Sequence, residues 1–289
     1  MTSLRAQFIR ELTIRGRAER TIHAYVASLA AVAKHYGLPP DRISDEQIRV
    51  WLEHLRSVRK LSASSLNVTV NAVRGFQEWV LHRPREQCVR GVPTCKRATK
   101  RAEVYAQSEM RAILRAAPPG RDRMLLSLIY ACGLRRWEAT QVKITDIDAA
   151  RLQLRVRHGK GAKERVLPLT TQLLADLRGY WRDCRKGRPG HDSPWLFQGS
   201  RPGQPLSTSL ALHLLVQAIT VAKVKRKGGL HTLRHSFATH LLESGVEITV
   251  VQRLLGHASL ATTARYLHVT TGRIEKLAVA LDLLGALRR

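Results

Sequence analysis

The sequence is poor in acidic residues, in aromatic side chains and in cysteine. It has 22 Asp and Glu against 49 Lys and Arg, which leaves a formal net charge of +27. Such an excess of one sign destabilises a compact chain by self-repulsion, and a polyanionic partner usually compensates it. Nucleic acid is the polyanion that this composition indicates, because no lipidation motif and no basic helix with a bulky apolar face points to a membrane surface.

Long apolar runs and a cysteine framework are also absent. No stretch approaches the roughly 18 consecutive apolar residues of a membrane span, and the first residues do not resemble a signal peptide. The spacing of Cys88, Cys95, Cys132 and Cys184 matches neither a zinc module nor a disulfide framework. We therefore expect reduced thiols in a cytoplasmic protein that associates with the nucleoid and not with a membrane.

The length of the chain suits about two domains, at ~150 residues each. Residues 3–81 place apolar side chains at helical spacing, which predicts a bundle of helices. The following stretch is basic, contains proline and glycine, and lacks periodicity. The predicted organisation is a helical domain at 1–86, a basic linker at 87–104 and a second domain at 105–289.

The second region combines helical spacing with one alternating stretch. Ser108 precedes its first helical segment and is expected to cap that helix. Residues 151–169 alternate between apolar and polar side chains on both sides of a glycine-containing break, which predicts a β-hairpin. Lys160 and Lys163 would lie at the hairpin tip. The predicted fold class is therefore mainly α with a small β-hairpin or sheet.

Four motifs in the second region carry residues suited to chemistry at a phosphodiester. They are GLRRWE with Arg135, HGKGAKER with Lys160, HTLRHSFATH with His231 and Arg234, and LLGHASLATTARYLH with His257 and Tyr266. Two guanidiniums can hold the non-bridging oxygens of a phosphate without a metal. A tyrosine hydroxyl, with a pKa near ~10, needs a basic group or a cationic field before it attacks. A lysine can protonate the leaving oxygen.

Each motif alone is weak evidence, but the four in this order resemble the tyrosine recombinase family of phage-type integrases and Xer-like recombinases. The resemblance covers nearly the whole chain and is strongest over residues 125–268. It implies a catalytic set of Arg135, Lys160, His231, Arg234, His257 and the nucleophile Tyr266, with Glu138 supporting the first arginine. It also implies a 3′-phosphotyrosine intermediate, a free 5′ hydroxyl and a Holliday junction, without metal, cofactor or ATP.

The resemblance further implies an architecture and partners. The N-terminal helices resemble the family's SAM-like core-binding domain, and a C-terminal exchange helix at 273–288 would pack onto a neighbouring protomer. Packing on its own domain is the alternative for that helix. The implied partners are double-stranded DNA at a specific site, a homo-tetramer on that DNA and an accessory directionality factor. Arg136 and Trp137 depart from the family pattern, so Trp137 is expected to need space beside the active site.

Basic residues outside the catalytic set are candidates for contacts with DNA phosphates, and ordinary solubilising charge is the alternative reading of each. They are Arg17, Arg20, Lys60, Arg74, Arg136, Lys163, Lys223, Lys225 and Arg226. Contacts to phosphates would set the register of the protein on DNA and not its sequence preference.

Other functions fit parts of the sequence. A type IB topoisomerase shares the chemistry, and a non-catalytic DNA-binding relative would share the charge. A metal hydrolase is suggested by the i, i+4 spacing of His231 and His235, but Thr232 stands where a zincin helix needs Glu, so we expect no metal. Phage integration, transposition, cassette capture and dimer resolution share this catalytic set, although the compact interval from Lys160 to His231 argues weakly against an integron integrase.

Overall fold

The computed structural model describes residues 3–88, 94–95, 103–157, 164–186, 192–201 and 203–266. By its internal contacts the chain divides into two compact units, Met1–Thr99 and Lys100–Arg289. Most of the predicted linker, the hairpin tip with Lys160 and Lys163, and the predicted exchange helix lie outside the described residues. In the described part of the chain, no helix is long and apolar enough to cross a membrane.

The described part of the first unit is a helical bundle. Its α-helices are α1 (Ser3–Ile14), α2 (Glu19–Tyr36), α3 (Asp45–Ser57) and α4 (Ala63–Trp79), with 3₁₀ turns at Pro40–Arg42 and Arg85–Gln87. Their apolar faces form one core, in which Phe8 and Phe76 pack edge to face with ring centroids 5.6 Å apart. This bundle confirms the helices predicted for residues 3–81.

Local chemistry sets the ends of these helices. Ser44 and Gln47 form a capping box at the start of α3, since the side chain of each accepts a hydrogen bond from the backbone N–H of the other. Ser62 caps α4 by accepting from the backbone N–H of Ser65 at 3.2 Å. Gly37 ends α2 in the left-handed conformation, with φ at 65°.

The second unit combines helices with a small antiparallel sheet in the order β1-β2-β3. Its helices are α5 (Gln107–Ala116), α6 (Arg121–Cys132), α7 (Arg136–Thr140), α8 (Thr171–Tyr180), α9 (Thr208–Val221), α10 (Leu230–Glu243), α11 (Ile248–Leu255) and α12 (Leu260–Ala264). The strands are β1 (Ile147–Asp148), β2 (Gln153–Val156) and β3 (Arg165–Pro168). β2 and β3 confirm the predicted hairpin, whereas the two-residue β1 was not predicted.

The start of α5 differs from the prediction. Its N-cap is Ala106 and not Ser108, and the Glu109 side chain accepts a hydrogen bond from the Ala106 backbone N–H at 2.7 Å. The prediction was wrong because a carboxylate in the first turn satisfies a free N–H group as well as a capping hydroxyl does.

Two glycines fix the turns that lead to the candidate site. α6 ends at Gly133, whose φ of 57° and whose position against the Phe237 ring both exclude a larger residue. α11 ends at Gly256, which is also left-handed, with φ at 62°. α10 packs against α6 and α11, so the ends of α6 and α11 lie beside the chemistry-bearing face of α10.

Candidate active site

Arg135 lies at the N-terminus of α7, one turn before Glu138. Its guanidinium donates hydrogen bonds to Glu138 Oε1 at 2.6 Å and to the carbonyl oxygen of Gly256 at 3.0 Å. Its backbone N–H donates to the other carboxylate oxygen of Glu138 at 2.8 Å. The side chain of Arg135 is 23% exposed, so part of the guanidinium stays accessible to a ligand.

Glu138 is a buried carboxylate that is shared between guanidiniums. Arg165, on β3, donates to Oε1 at 2.9 Å and to Oε2 at 2.7 Å, which is a bidentate pair. The guanidinium of Arg234 approaches Oε2 at 3.9 Å. The sequence analysis singled out Glu138 and Arg234 but not Arg165, although Arg165 ends the HGKGAKER motif, so the structure adds a third arginine to this cluster.

Arg234 is buried, with 3% of its surface exposed. Its guanidinium donates to the carbonyl oxygen of Gly133 at 2.6 Å and to the carbonyl oxygen of Leu255. Arg234 therefore ties the end of α6 to the end of α11 and holds its own charge in an environment of low dielectric, where electrostatic interactions are strong.

The Tyr266 side chain packs in a small apolar cluster formed by α10 and α11, and the residue is 1% exposed. Its hydroxyl lies 2.8 Å from Nδ1 of His235. His235 was not among the predicted catalytic residues, although it stands in the HTLRH motif directly after Arg234. Its i, i+4 relation to His231 was visible in the sequence, but its contact with a residue 31 positions later was not.

Three histidines lie near the tyrosine, two of them with their rings against its ring. The His257 ring is stacked at 6.4 Å from the Tyr266 ring, and its Nδ1 lies 2.9 Å from Thr263 Oγ1. His231 is exposed, and its ring centroid lies 6.4 Å from that of His235. His231, His235, Tyr266 and His257 thus form a row of rings along one side of the arginine cluster.

One further prediction concerns this region. Trp137, which was expected to need space beside the active site, is 48% exposed and so takes up no space in the core. Within the described residues, no group of three or more His, Cys, Asp or Glu side chains is placed to hold a metal ion.

Comparison with known proteins decides the family. Residues 103–273, more than half of the chain, match the phage integrase family, and residues 4–87 match the SAM-like N-terminal domain of phage integrases. The chain belongs to the phage integrase family of tyrosine recombinases. As a tyrosine recombinase it is an enzyme of site-specific DNA recombination.

The recombinase resembles curated relatives over nearly its whole length. It is 34% identical to the putative integrase/recombinase y4qK of Sinorhizobium fredii, over 98% of this chain and 90% of that protein. It is 33% identical to the tyrosine recombinase XerC of Mycobacterium leprae, over 93% of this chain and 95% of that protein.

Solved structures share the fold of the recombinase. The XerH recombinase bound to a palindromic difH substrate in a post-cleavage complex matches with a TM-score of 0.75 at 22% identity, over 91% of this chain and 80% of that one. A lambda integrase tetramer bound to a Holliday junction matches with a TM-score of 0.72 at 20% identity, over 91% and 76% of the two chains. At these identities the likeness supports the fold.

The buried charges of the recombinase are strongly perturbed. Burial alone would raise the pKa of Glu138, but the hydrogen bonds and charge of Arg165, followed by the bonds from Arg135, lower it to about 2. Burial and the charge of Arg135 lower the pKa of Arg234, while Glu138 opposes that shift. Glu138 is therefore ionised at neutral pH, and the arginine cluster as a whole stays positive.

The rings are held in their neutral forms. Burial, and then neighbouring positive charges, lower the pKa values of His235 and His257 to about 4 each. Partial desolvation and the guanidinium of Arg234 lower the pKa of His231 as well. Burial raises the pKa of Tyr266, and the charges of Arg234, Arg265 and Arg135 oppose that rise. Neutral His235 can accept the hydrogen bond of the Tyr266 hydroxyl.

The candidate DNA contacts differ in exposure. Arg17, Arg20, Lys60, Lys223, Lys225 and Arg226 are exposed, Arg74 and Arg136 are half-buried, and Lys163 lies outside the described residues. Arg17 lies over the Trp79 ring at 5.9 Å, and Arg226 donates to the carbonyl oxygen of Gly228 at 3.2 Å. The neighbouring Lys227 instead donates to Glu109 and to the carbonyl oxygen of Val104.

Proposed function

We propose that the recombinase cleaves and rejoins double-stranded DNA at a specific site through a covalent 3′-phosphotyrosine at Tyr266. The observation that carries the proposal is the convergence of Arg135, Arg234 and the hydrogen-bonded pair of Tyr266 and His235 at the ends of α6 and α11. A phosphodiester bound there would meet two guanidiniums and a phenol.

The arginines supply the electrostatic part of the chemistry. Arg135 and Arg234 would hold the non-bridging oxygens and favour the transition state, in which negative charge builds up on the transferring phosphoryl group. His231 and His257 would add hydrogen bonds to the same oxygens. Because the two guanidiniums are fixed by Glu138 and by backbone carbonyls before DNA binds, little reorganisation is needed at the moment of reaction.

Tyr266 supplies the nucleophile. For attack, its hydroxyl must leave His235 and reach the phosphorus atom, since the side chain is buried in the DNA-free protein. The new bond joins Tyr266 Oη to phosphorus, and the bond from phosphorus to the 5′ oxygen breaks. The tyrosine proton passes to a neighbouring base or to solvent, and Lys160 protonates the leaving 5′ oxygen, as the family resemblance implies. The reverse sequence rejoins the strand without ATP.

Strand exchange completes the proposal. Four protomers would act on two DNA sites and pass through a Holliday junction, with the segment at 273–288 docking on a neighbouring protomer. The helical domain at 1–86, the linker at 87–104 and the catalytic domain at 105–289 would each contact the DNA. The protein would act in the cytoplasm at the nucleoid, with an accessory factor setting direction, in integration, transposition or another rearrangement of mobile DNA.

Covalent capture tests the chemistry. We expect a nicked suicide substrate, incubated in EDTA, to form a covalent adduct with the wild type and none with Tyr266→Phe. Tyr130→Phe is the matched control, because the Tyr130 hydroxyl also lies 2.8 Å from a histidine of α10, His240, and this variant should form the adduct normally. An adduct that requires a divalent metal, or that survives in Tyr266→Phe, would contradict the mechanism.

A second substrate distinguishes site-specific recombination from the relaxation of supercoiled DNA by a topoisomerase. A type IB topoisomerase would form the same adduct, whereas a recombinase should also resolve a synthetic Holliday junction that carries its own site. Adduct formation without any resolution of such a junction would favour the topoisomerase alternative.

A further inference from the structure

Three arginines hold three consecutive carbonyl groups at the end of α11. Arg165 Nε donates to Leu254 at 3.0 Å, Arg234 donates to Leu255, and Arg135 donates to Gly256 at 3.0 Å. The last carbonyls of a helix lack partners within the helix and carry the negative end of its dipole, so cations stabilise them. The chain that leads to His257 is therefore anchored by Arg135 and Arg234, which are proposed to bind phosphate, and by Arg165.

The same three guanidiniums also meet at Glu138, but their roles differ. All three nitrogens of Arg165 donate to protein acceptors, two to the carboxylate of Glu138 and one to the Leu254 carbonyl. Its side chain is 10% exposed, whereas that of Arg135 is 23% exposed. The donors of Arg165 thus face the protein, which suits a residue that orients others and not one that touches DNA.

The pairing of Arg165 with Glu138 has an electrostatic consequence. A buried carboxylate beside a phosphate site would repel the phosphate unless its charge is offset. Arg165 engages both oxygens of Glu138, so Arg135 and Arg234 keep a net positive charge toward the ligand. The absence of a side chain at Gly256 leaves room for Arg165, because a Cβ at this position would lie only 3.1 Å from Cδ of Arg165.

We propose that Arg165 is a positioning residue of the recombinase, which sets Arg135 and Arg234 for the phosphate by fixing Glu138 and the end of α11. The inference rests on the proposed function. It predicts that loss of Arg165 impairs the neutralisation of phosphate charge more than it impairs folding or the nucleophile.

The test compares two nicked suicide substrates that differ at the scissile position, one with the natural phosphodiester and one with an uncharged methylphosphonate. The methylphosphonate lacks the negative charge that the guanidiniums neutralise, so its cleavage depends less on their alignment. The variants are Arg165→Met, Arg165→Lys and the control Arg151→Met. Arg151 is 77% exposed and lies just before β2, at the end of that strand opposite to the hairpin tip.

We expect Arg165→Met to slow single-turnover cleavage of the phosphodiester about 100-fold, the usual cost of a misplaced reacting geometry, and cleavage of the methylphosphonate less than about tenfold. Arg165→Lys keeps the positive charge but lacks the planar guanidinium, so its rate of phosphodiester cleavage should lie between those of the wild type and Arg165→Met. Arg151→Met should stay within about twofold on both substrates. Thermal melting of each variant reports its folding.

Unchanged phosphodiester cleavage in Arg165→Lys, or an equal slowing of both substrates in that variant, would overturn the inference. Should Arg165→Met fail to fold, the lysine variant decides. Wild type that forms no adduct, or a Tyr266→Phe variant that forms one, would overturn the proposed function and this inference with it.

Discussion

Glu138 is a charged residue that the fold buries almost completely, with 2% of its side chain exposed. Removing a carboxylate from water costs several kcal/mol unless charged partners and hydrogen bonds offset the loss. Arg135 and Arg165 provide both, and the low pKa of Glu138 records that their attraction outweighs its desolvation. A neutral side chain at this position would leave buried guanidiniums without their counter-charge.

Glu138→Gln should therefore destabilise the recombinase at neutral pH and matter less in acid. The folded-state pKa of about 2 lies below the ordinary value of 4.5, so this stabilisation is present above about pH 4.5 and is lost as the pH falls toward 2. The shift corresponds to about 3 kcal/mol at neutral pH. Denaturant unfolding of both proteins between pH 7 and pH 2.5 measures the difference.

The exposed Glu53 offers the matched control, since Glu53→Gln should leave the free energy of unfolding unchanged across that range. A destabilisation by Glu138→Gln that is as large at pH 2.5 as at pH 7 would show that shape, and not charge, is what the position requires.

Residue chemistry explains which site members were predictable. Arg135, Arg234 and Tyr266 were singled out because their residue types suit a phosphodiester, whereas Arg165 and His235, which stand in the same motifs, were assigned to the site only from their contacts in the structure. Arg165 did leave a signal. Val156 and Leu167 fix the inward face of the hairpin, and the same alternation turns Arg165 inward and Val166 outward, where it is 52% exposed. An arginine on the inward face needs a buried partner.

Among the structural elements, α11 shows how a helix end can serve a site. Its final carbonyls are held by arginines from α7, α10 and β3, so its C-terminus is fixed from three directions. Gly256 makes the turn out of the helix, and it leaves room for the Arg165 side chain at the same place.

Gly256→Ala should cost stability and also slow cleavage. The alanine would be strained at a φ of 62°, by about 1 kcal/mol, and its Cβ would press on Arg165 at 3.1 Å. We expect cleavage of the suicide substrate to slow about tenfold, because the aligned guanidiniums shift by a fraction of an ångström.

Gly37→Ala is the control for this change, since Gly37 ends α2 with a φ of 65° and has nothing within 4 Å of the added Cβ. It should lower the melting temperature to a similar extent and leave cleavage unchanged. Equal effects of the two substitutions on cleavage would mean that helix-end strain alone, and not the contact with Arg165, controls the rate.

Elements with strong local signals were predicted, and elements defined by tertiary contacts were not. The helices of the first unit and the hairpin followed from periodicity and turn chemistry. The strand β1 consists of two residues, Ile147 and Asp148, and it exists because it pairs with β2, so no local pattern marks it. The cap of α5 was missed for a local reason, since the carboxylate of Glu109 accepts a hydrogen bond from the Ala106 backbone N–H in place of a capping hydroxyl.

The charge of the whole molecule is the property that composition predicted most directly. An excess of +27 implies binding that is driven by release of counterions from DNA and that weakens as salt rises. The described ion pairs show which of the positive side chains are already bound to carboxylates. Arg135 and Arg165 are tied to Glu138, whereas Lys223, Lys225 and Arg226 are exposed on the segment that follows α9.

Removal of two of these exposed cations should therefore weaken DNA binding and flatten its salt dependence. If Lys225 and Arg226 each neutralise one phosphate, the double variant Lys225→Gln/Arg226→Gln should lower the slope of log K against log salt by roughly 1.8. The loss should be equal on two duplexes of unrelated sequence, because phosphate contacts carry no sequence information. Titrations at several salt concentrations measure both quantities.

The double variant Arg178→Gln/Arg182→Gln removes the same charge from another exposed surface, where Arg182 is already paired with Asp183 at 2.8 Å. Its salt slope should match that of the wild type. An identical change of slope in both double variants would show that net charge alone governs binding, and a loss confined to one DNA sequence would show that Lys225 or Arg226 contacts bases. Only a slope change restricted to the first variant locates a phosphate contact on the segment after α9.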